Sequence, residues 1–252
     1  MRMTLVVLLG LLALGGCDNS QDHPKKDTAA PLALAQHGLE KSLPGCAGDH
    51  CPRVTLRWVS IDQQPALNQA LLAALAGMLE SDEQAPAKPP SPQQLADSFL
   101  ADAEDVPMAD QQNWQLSGSA SLMGRQGTLL TFELQSYEFT GGAHGMPGLA
   151  YLHWDLADKH AIALADLLQP GQSQAFWTQA KQRHQQWLKQ HKLGASFQQS
   201  WPFEKTDNFY LGDDGLTLQY NVYQLAPYAM GQPQLVIPYA QLDGILKPAY
   251  MK

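Results

Sequence analysis

The chain carries little charge, few cysteines and no apolar run long enough to cross a bilayer. Only 16% of its 252 residues are charged and only three are cysteine. The longest apolar run, Leu5 to Leu14, is interrupted only by Gly10. A spanning helix needs about 20 such residues, so none is expected. Basic residues are scarce as well: 16 Lys and Arg stand against 24 Asp and Glu, for a net charge of −8. That balance argues against nucleic acid and anionic membrane surfaces as partners. Cys46, His50 and Cys51 fall short of the four ligands of a closed zinc site, so no metal is expected there. Gly118-Ser119-Ala120-Ser121-Leu122 lacks the second glycine of a nucleophile elbow and lies on a strand pattern. No catalytic residue and no cofactor are assigned.

The N-terminus is more informative. Residues 1–16 combine Arg2, a short apolar run and small residues, which is the pattern of a signal peptide. Leu14-Gly15-Gly16-Cys17 resembles the lipobox of bacterial lipoproteins. It implies cleavage before Cys17, a diacylglycerol on its sulfur with further acylation such as palmitate, and anchorage at a membrane face. Asp18 resembles an inner-membrane retention signal. Loss of Arg2 leaves 15 basic against 24 acidic residues, about −9 for the mature chain. The expected address is the bacterial cell envelope, facing the periplasm. Residues 17–45 are polar and without period, and read as a flexible tether. Cys46 and Cys51 are expected to form a disulfide in an exported chain. A loop that short contributes roughly 2 kcal/mol in the chain-entropy model.

Periodicity then predicts an α+β fold, mainly antiparallel sheet packed with a few helices, as two small subdomains in one compact unit. Residues 46–110 would form the first subdomain and 111–252 the second. Val54, Leu56 and Trp58 alternate as a strand. Leu67, Leu71, Leu75, Met78 and Leu79 follow at helical spacing. Ser91-Pro92-Gln93-Gln94 carries an N-cap, a proline at the first helical position and a capping-box glutamine. Strands are expected over 116–122, 130–134, 150–156, 208–211, 216–222 and 234–237. Helices are expected over 164–168 and from a Ser173 cap to Leu193, with a last helical turn after Pro238. The large apolar residues switch face between Leu134 and Tyr137, which predicts a β-bulge near Gln135 and Ser136. His153 and Asp155 would share the face turned away from the core.

The least ordinary stretch is Ser136 to Gly148. Its Gly141, Gly142, Gly145 and Gly148, with His144 and Pro147, exceed what a two-residue hairpin turn requires. The glycines suit positive φ, and His144 is either a residue that pins the loop or a functional group. Pro227, Tyr228 and Met230 form a second candidate loop, with residue types that anchor interfaces.

Phe139-Thr140-Gly141-Gly142-Ala143-His144-Gly145, Trp154-Asp155-Leu156, Asn208-Phe209-Tyr210-Leu211 and the run Tyr223 to Tyr239 together resemble one family. It is the RsiV-like extracytoplasmic domain, known from the ectodomain of a lysozyme-sensing anti-sigma factor and from PdaC-type peptidoglycan deacetylases. The resemblance covers most of residues 53 to 246. It implies an α+β fold, an envelope location and, in some members, recognition of lysozyme. The lipobox stands where the anti-sigma factors have a cytoplasmic segment and a spanning helix, and no deacetylase domain follows, so neither activity transfers. The expectation is a lipid-anchored binding protein for a lysozyme-like hydrolase or a peptidoglycan fragment, bound through Gly141, Gly142, His144, Pro227, Tyr228 and Met230. A cationic protein suits the acidic charge. One alternative is an envelope hydrolase or metal-dependent enzyme built on His144 with Asp155, His153, Asp158 or His160. The other is a structural lipoprotein.

Overall fold

Two antiparallel-dominated sheets and five helices make up the described part of the computed structural model, residues 32–80, 88–107 and 113–252. The expected signal peptide and Cys17 lie outside the described residues. Among the described residues no helix is long and apolar enough to cross a membrane.

Residues 34–42, expected within the tether, instead form a strand, β1 (Leu34–Ser42). It was hidden because a strand exposed along most of its length shows no apolar alternation. Cys46 and Cys51 are disulfide-bonded, with Cα atoms 5.8 Å apart. The clip turns the chain into β2 (Arg53–Ile61), antiparallel to β1. Two helices follow, α1 (Pro65–Leu79) and α2 (Pro92–Glu104). The expected capping box opens α2: Ser91 accepts from Gln94 N–H and the Gln94 side chain accepts from Ser91 N–H. The chain then returns as β3 (Gln115–Gln126), parallel to β2. Such a parallel return requires a crossover, and the two helices supply it. The expected boundary at residues 110 and 111 therefore falls between two strands that pair with each other.

Three antiparallel strands complete this sheet: β4 (Leu129–Phe139), β5 (Met146–Asp155) and the short β6 (His160–Ile162). Leu67, Leu71 and Leu75 of α1 and Leu95 and Phe99 of α2 bury against Val54, Leu56, Leu116, Leu130, Phe132 and Trp154. Each such side chain contributes about 1.5–3 kcal/mol. Gly118 admits this packing, since a Cβ there would lie 2.8 Å from the Leu79 side chain.

A second core forms around the C-terminal half. After α3 (Leu164–Leu167) comes α4 (Ser173–Gln190), whose N-cap is Gln172 rather than Ser173. Its buried stripe is Phe176, Trp177, Ala180, His184, Trp187 and Leu188. The short α5 (Ala195–Ser200) leads to a three-stranded antiparallel sheet of β7 (Phe209–Leu211), β8 (Gly215–Gln219) and β9 (Gln234–Pro238). All five residues of β8 are buried. Thr217 and Gln219 thus do not face solvent, because β8 is the central strand and is covered on both sides.

The expected bulge at Gln135 and Ser136 is absent, and pairing of β4 with β5 runs in register through both residues. The irregularity lies instead in β3, between Leu122 and Gly124, and leaves Met123 exposed. Tyr137 sits on the opposite face because that face is also covered: a Cβ on Gly145 would lie 2.3 Å from the Tyr137 ring. On the same face Phe209 stacks on His153, which is 2% exposed rather than solvated.

A candidate binding surface

The outer margin of β5 controls how the glycine loop meets the C-terminal segment. From Met146 to Tyr151 this margin pairs with no strand among the described residues, and two asparagine side chains take a strand's place. Asn208 donates through Nδ2 to Leu149 O at 2.8 Å and accepts through Oδ1 from Tyr151 N–H at 3.0 Å. Asn221 accepts from Leu149 N–H at 2.8 Å and from Gln232 Nε2 at 2.8 Å. Exposed strand edges invite pairing with other chains, and these amides close this one. They also fix the turn after Asn221 beside the glycine loop.

At that junction four rings gather. His144 stacks on Tyr228 with centroids 3.6 Å apart and planes 15° apart. His144 Nδ1 donates to Gly145 O at 3.2 Å, which leaves Nε2 to accept from the Tyr223 hydroxyl at 3.3 Å. Gly145 O also accepts from the Tyr228 hydroxyl at 3.0 Å. Tyr223 lies 5.8 Å from Tyr228 and 6.5 Å from Trp201, the residue that ends α5. Two of the rings are exposed, His144 and Tyr223, the latter at 46%, and two, Trp201 and Tyr228, are half-buried.

Tyr223 has φ of 65°, a left-handed conformation. For a bulky residue this is an outlier that costs about 1–2 kcal/mol. Strain of this kind clusters at functional positions and persists only where surrounding structure enforces it. Here the enforcement is local: Asn221 N–H donates to Gln224 Oε1 at 2.7 Å and Gln224 N–H to Asn221 O at 3.2 Å. The turn therefore holds a tyrosine half out of the protein against its own backbone preference.

The expected site residues divide. Gly141 and Gly142 take φ of 103° and 87°, with open space where a Cβ would be, so they serve the loop's path. His144 and Tyr228 meet in the ring cluster, and Pro227 caps the short 3-10 turn that carries Tyr228. Met230 packs against the C-terminal core instead of joining them. Tyr223 and Trp201 are additions. Outward placement of Tyr223 follows from the inward Val222, but nothing local signals its φ or the approach of Trp201 from another segment.

The residues considered as catalytic partners of His144 have other engagements. His153 donates through Nε2 to Phe209 O at 2.8 Å and accepts at Nδ1 from the Thr131 hydroxyl at 3.1 Å. Burial pushes its pKa down to about 4, against the Phe209 bond, which favours the proton. Asp155 accepts from Ala157 N–H, Asp158 N–H and the Thr128 hydroxyl, which fastens the turn into β6. His160 and Asp158 are exposed on that turn and strand. Among the described residues no three His, Cys, Asp or Glu side chains are grouped to hold a metal.

A family model described as a protein of unknown function, DUF3298, matches residues 165–240. That span contains Trp201, Tyr223 and Tyr228 but not the glycine loop. No curated protein matches the chain. Among solved structures, a DUF3298 family protein from Pseudomonas aeruginosa PAO1 is similar at 35% identity, with a TM-score of 0.76 over 88% of this chain and 97% of that one. A DUF3298 family member from Bacteroides fragilis NCTC 9343 shares the fold at 21% identity, with a TM-score of 0.68 over 89% of this chain and 96% of that one. With identity at this level along nearly the whole of the Pseudomonas protein, the chain belongs to the DUF3298 family.

Proposed function

We propose that this protein is a lipid-anchored binding module of the bacterial envelope, an RsiV-like domain that presents the ring cluster of His144, Trp201, Tyr223 and Tyr228 to its ligand. The observation that carries the reading is Tyr223, strained and half exposed among three other rings. Exposed aromatic groups held rigidly are what interface anchors require, since little side-chain entropy is lost on binding. The ligand class is a lysozyme-like hydrolase or a peptidoglycan fragment, and a chain of net charge −8 favours encounter with a cationic protein. Anchorage at Cys17 through its lipid would hold the module at the membrane face, with the polar residues after it as spacer.

Calorimetric titration of the protein with a cationic lysozyme, and separately with soluble muropeptides, tests the proposal. Saturable binding of either, weakened by salt for the lysozyme, is the expected result. Silence from both at about 100 μM protein refutes the ligand class.

A further inference from the structure

The two margins of the six-stranded sheet are treated in opposite ways. The exposed part of β5 is closed by Asn208 and Asn221 and carries Pro147. The nine-residue β1 at the far margin pairs with β2 alone among the described residues, with an unbroken register from Leu34 to Ser42 and no proline. Proteins usually protect such a margin with charge, proline or a bulge. Here both charges of β1 are already answered within the chain. Lys41 bonds Asp97 of α2, and Glu40 lies 2.6 Å from Arg57 of β2.

The hydrogen-bond phase shows which groups point outward. Asp62 N–H donates to Ala33 O and Leu43 N–H to Pro52 O, so odd-numbered residues face β2. The even-numbered Leu34, Gln36, Gly38, Glu40 and Ser42 therefore turn their main-chain N–H and C=O groups to the open side. Gly38 is the midpoint of β1. An antiparallel pairing of two copies centred there sets Gly38 opposite Gly38, Gln36 opposite Glu40, and Leu34 opposite Ser42. No like charges meet, and each Gln36 amide faces a Glu40 carboxylate. A Cβ on Gly38 would come no nearer than 3.8 Å to any neighbour, so the crossing point is open.

We infer that β1 is a self-association edge, where a second copy of this chain adds its own β1 antiparallel about Gly38 and joins two six-stranded sheets into one. The interface is isologous, as a closed two-fold dimer requires. It lies on β1, whereas the ring cluster is built on the loop before β5 and the C-terminal segment, so it stands independently of the ligand proposal.

The test is disulfide trapping of the full chain in membranes of cells that express it, read on a non-reducing gel. Opposed residues of a hydrogen-bonded antiparallel pair have Cα atoms about 5.5 Å apart, within disulfide reach. Gly38→Cys should give a dimer band that the unmodified chain and Ser121→Cys, placed on β3 away from the edge, do not. In the Gly38→Cys background, Gln36→Glu sets like charges opposite each other twice and Gln36→Lys sets opposite charges. The first should lower and the second raise trapping, each by roughly threefold or more in the association constant. A Gly38→Cys chain that stays monomeric overturns the inference. So does a dimer band that Gln36→Glu and Gln36→Lys leave unchanged or shift in the same direction.

Discussion

Replacing Tyr223 by alanine and by glycine separates backbone strain from ring contacts. Both changes remove the hydroxyl bond to His144 and the contacts with Trp201 and Tyr228. Only glycine relieves the φ of 65°. Left-handed backbone costs a non-glycine residue about 1–2 kcal/mol. Glycine returns about 0.5–1 kcal/mol of that through the greater freedom of its unfolded chain. The glycine variant should therefore be more stable than the alanine variant by about 0.5–1 kcal/mol. For a domain of this size that is a melting point higher by about 1–4 °C. Paired thermal melts by circular dichroism, under identical buffer, provide the measurement. An alanine variant that melts at or above the glycine variant would refute the claim that the turn stores strain.

Acid should destabilise the fold through His153. Its folded pKa is lowered to about 4, so the unfolded chain binds the proton more readily. Stability is full above about pH 6.5 and falls as pH drops, by roughly 3 kcal/mol when pH reaches the folded value. His184, buried with no hydrogen-bond partner among the described residues and with its pKa also lowered by burial, acts in the same sense. Urea unfolding at pH 7.5 and 4.5 should show the loss, and His153→Gln should reduce it. Asn208→Ala should cost about 1–3 kcal/mol by leaving Leu149 O and Tyr151 N–H unpaired, and should speed aggregation on warming as followed by light scattering. Gly145→Ala drives a methyl into Tyr137 and should cost about 1–3 kcal/mol in urea unfolding; adding Tyr137→Ala should give a loss smaller than the sum.

Elements with a buried face were legible because burial imposes a period. The α1 leucines and the alternation of β2, β4 and β5 follow from that, whereas the capping box of α2 was legible as a local hydrogen-bond motif. The strand β1 was not, because its residues are mostly exposed and its pairing is set by the chain beside it. The face change at Tyr137 was visible, but a bulge and a second covered face leave the same mark in one dimension. Likewise the alternation of β5 marks His153 as solvated, whereas Phe209, 56 residues later in the chain, stacks on it at 4.2 Å. The candidate site was half legible. His144 and Tyr228 carried unusual local chemistry, whereas Tyr223 owes its role to a backbone angle and Trp201 to a contact between distant segments.

The ring cluster as a ligand surface is the central claim, and the most direct measurement is calorimetric titration of wild type, His144→Ala and Tyr223→Gly with the cationic lysozyme and with muropeptides. Both substitutions act on exposed rings, and each variant's melting curve establishes that it is folded before titration. The predicted result is saturable binding by wild type to one of the two probes and a loss of tenfold or more, about 1.4 kcal/mol, in each folded variant. Unchanged affinity in both folded variants would contradict the account.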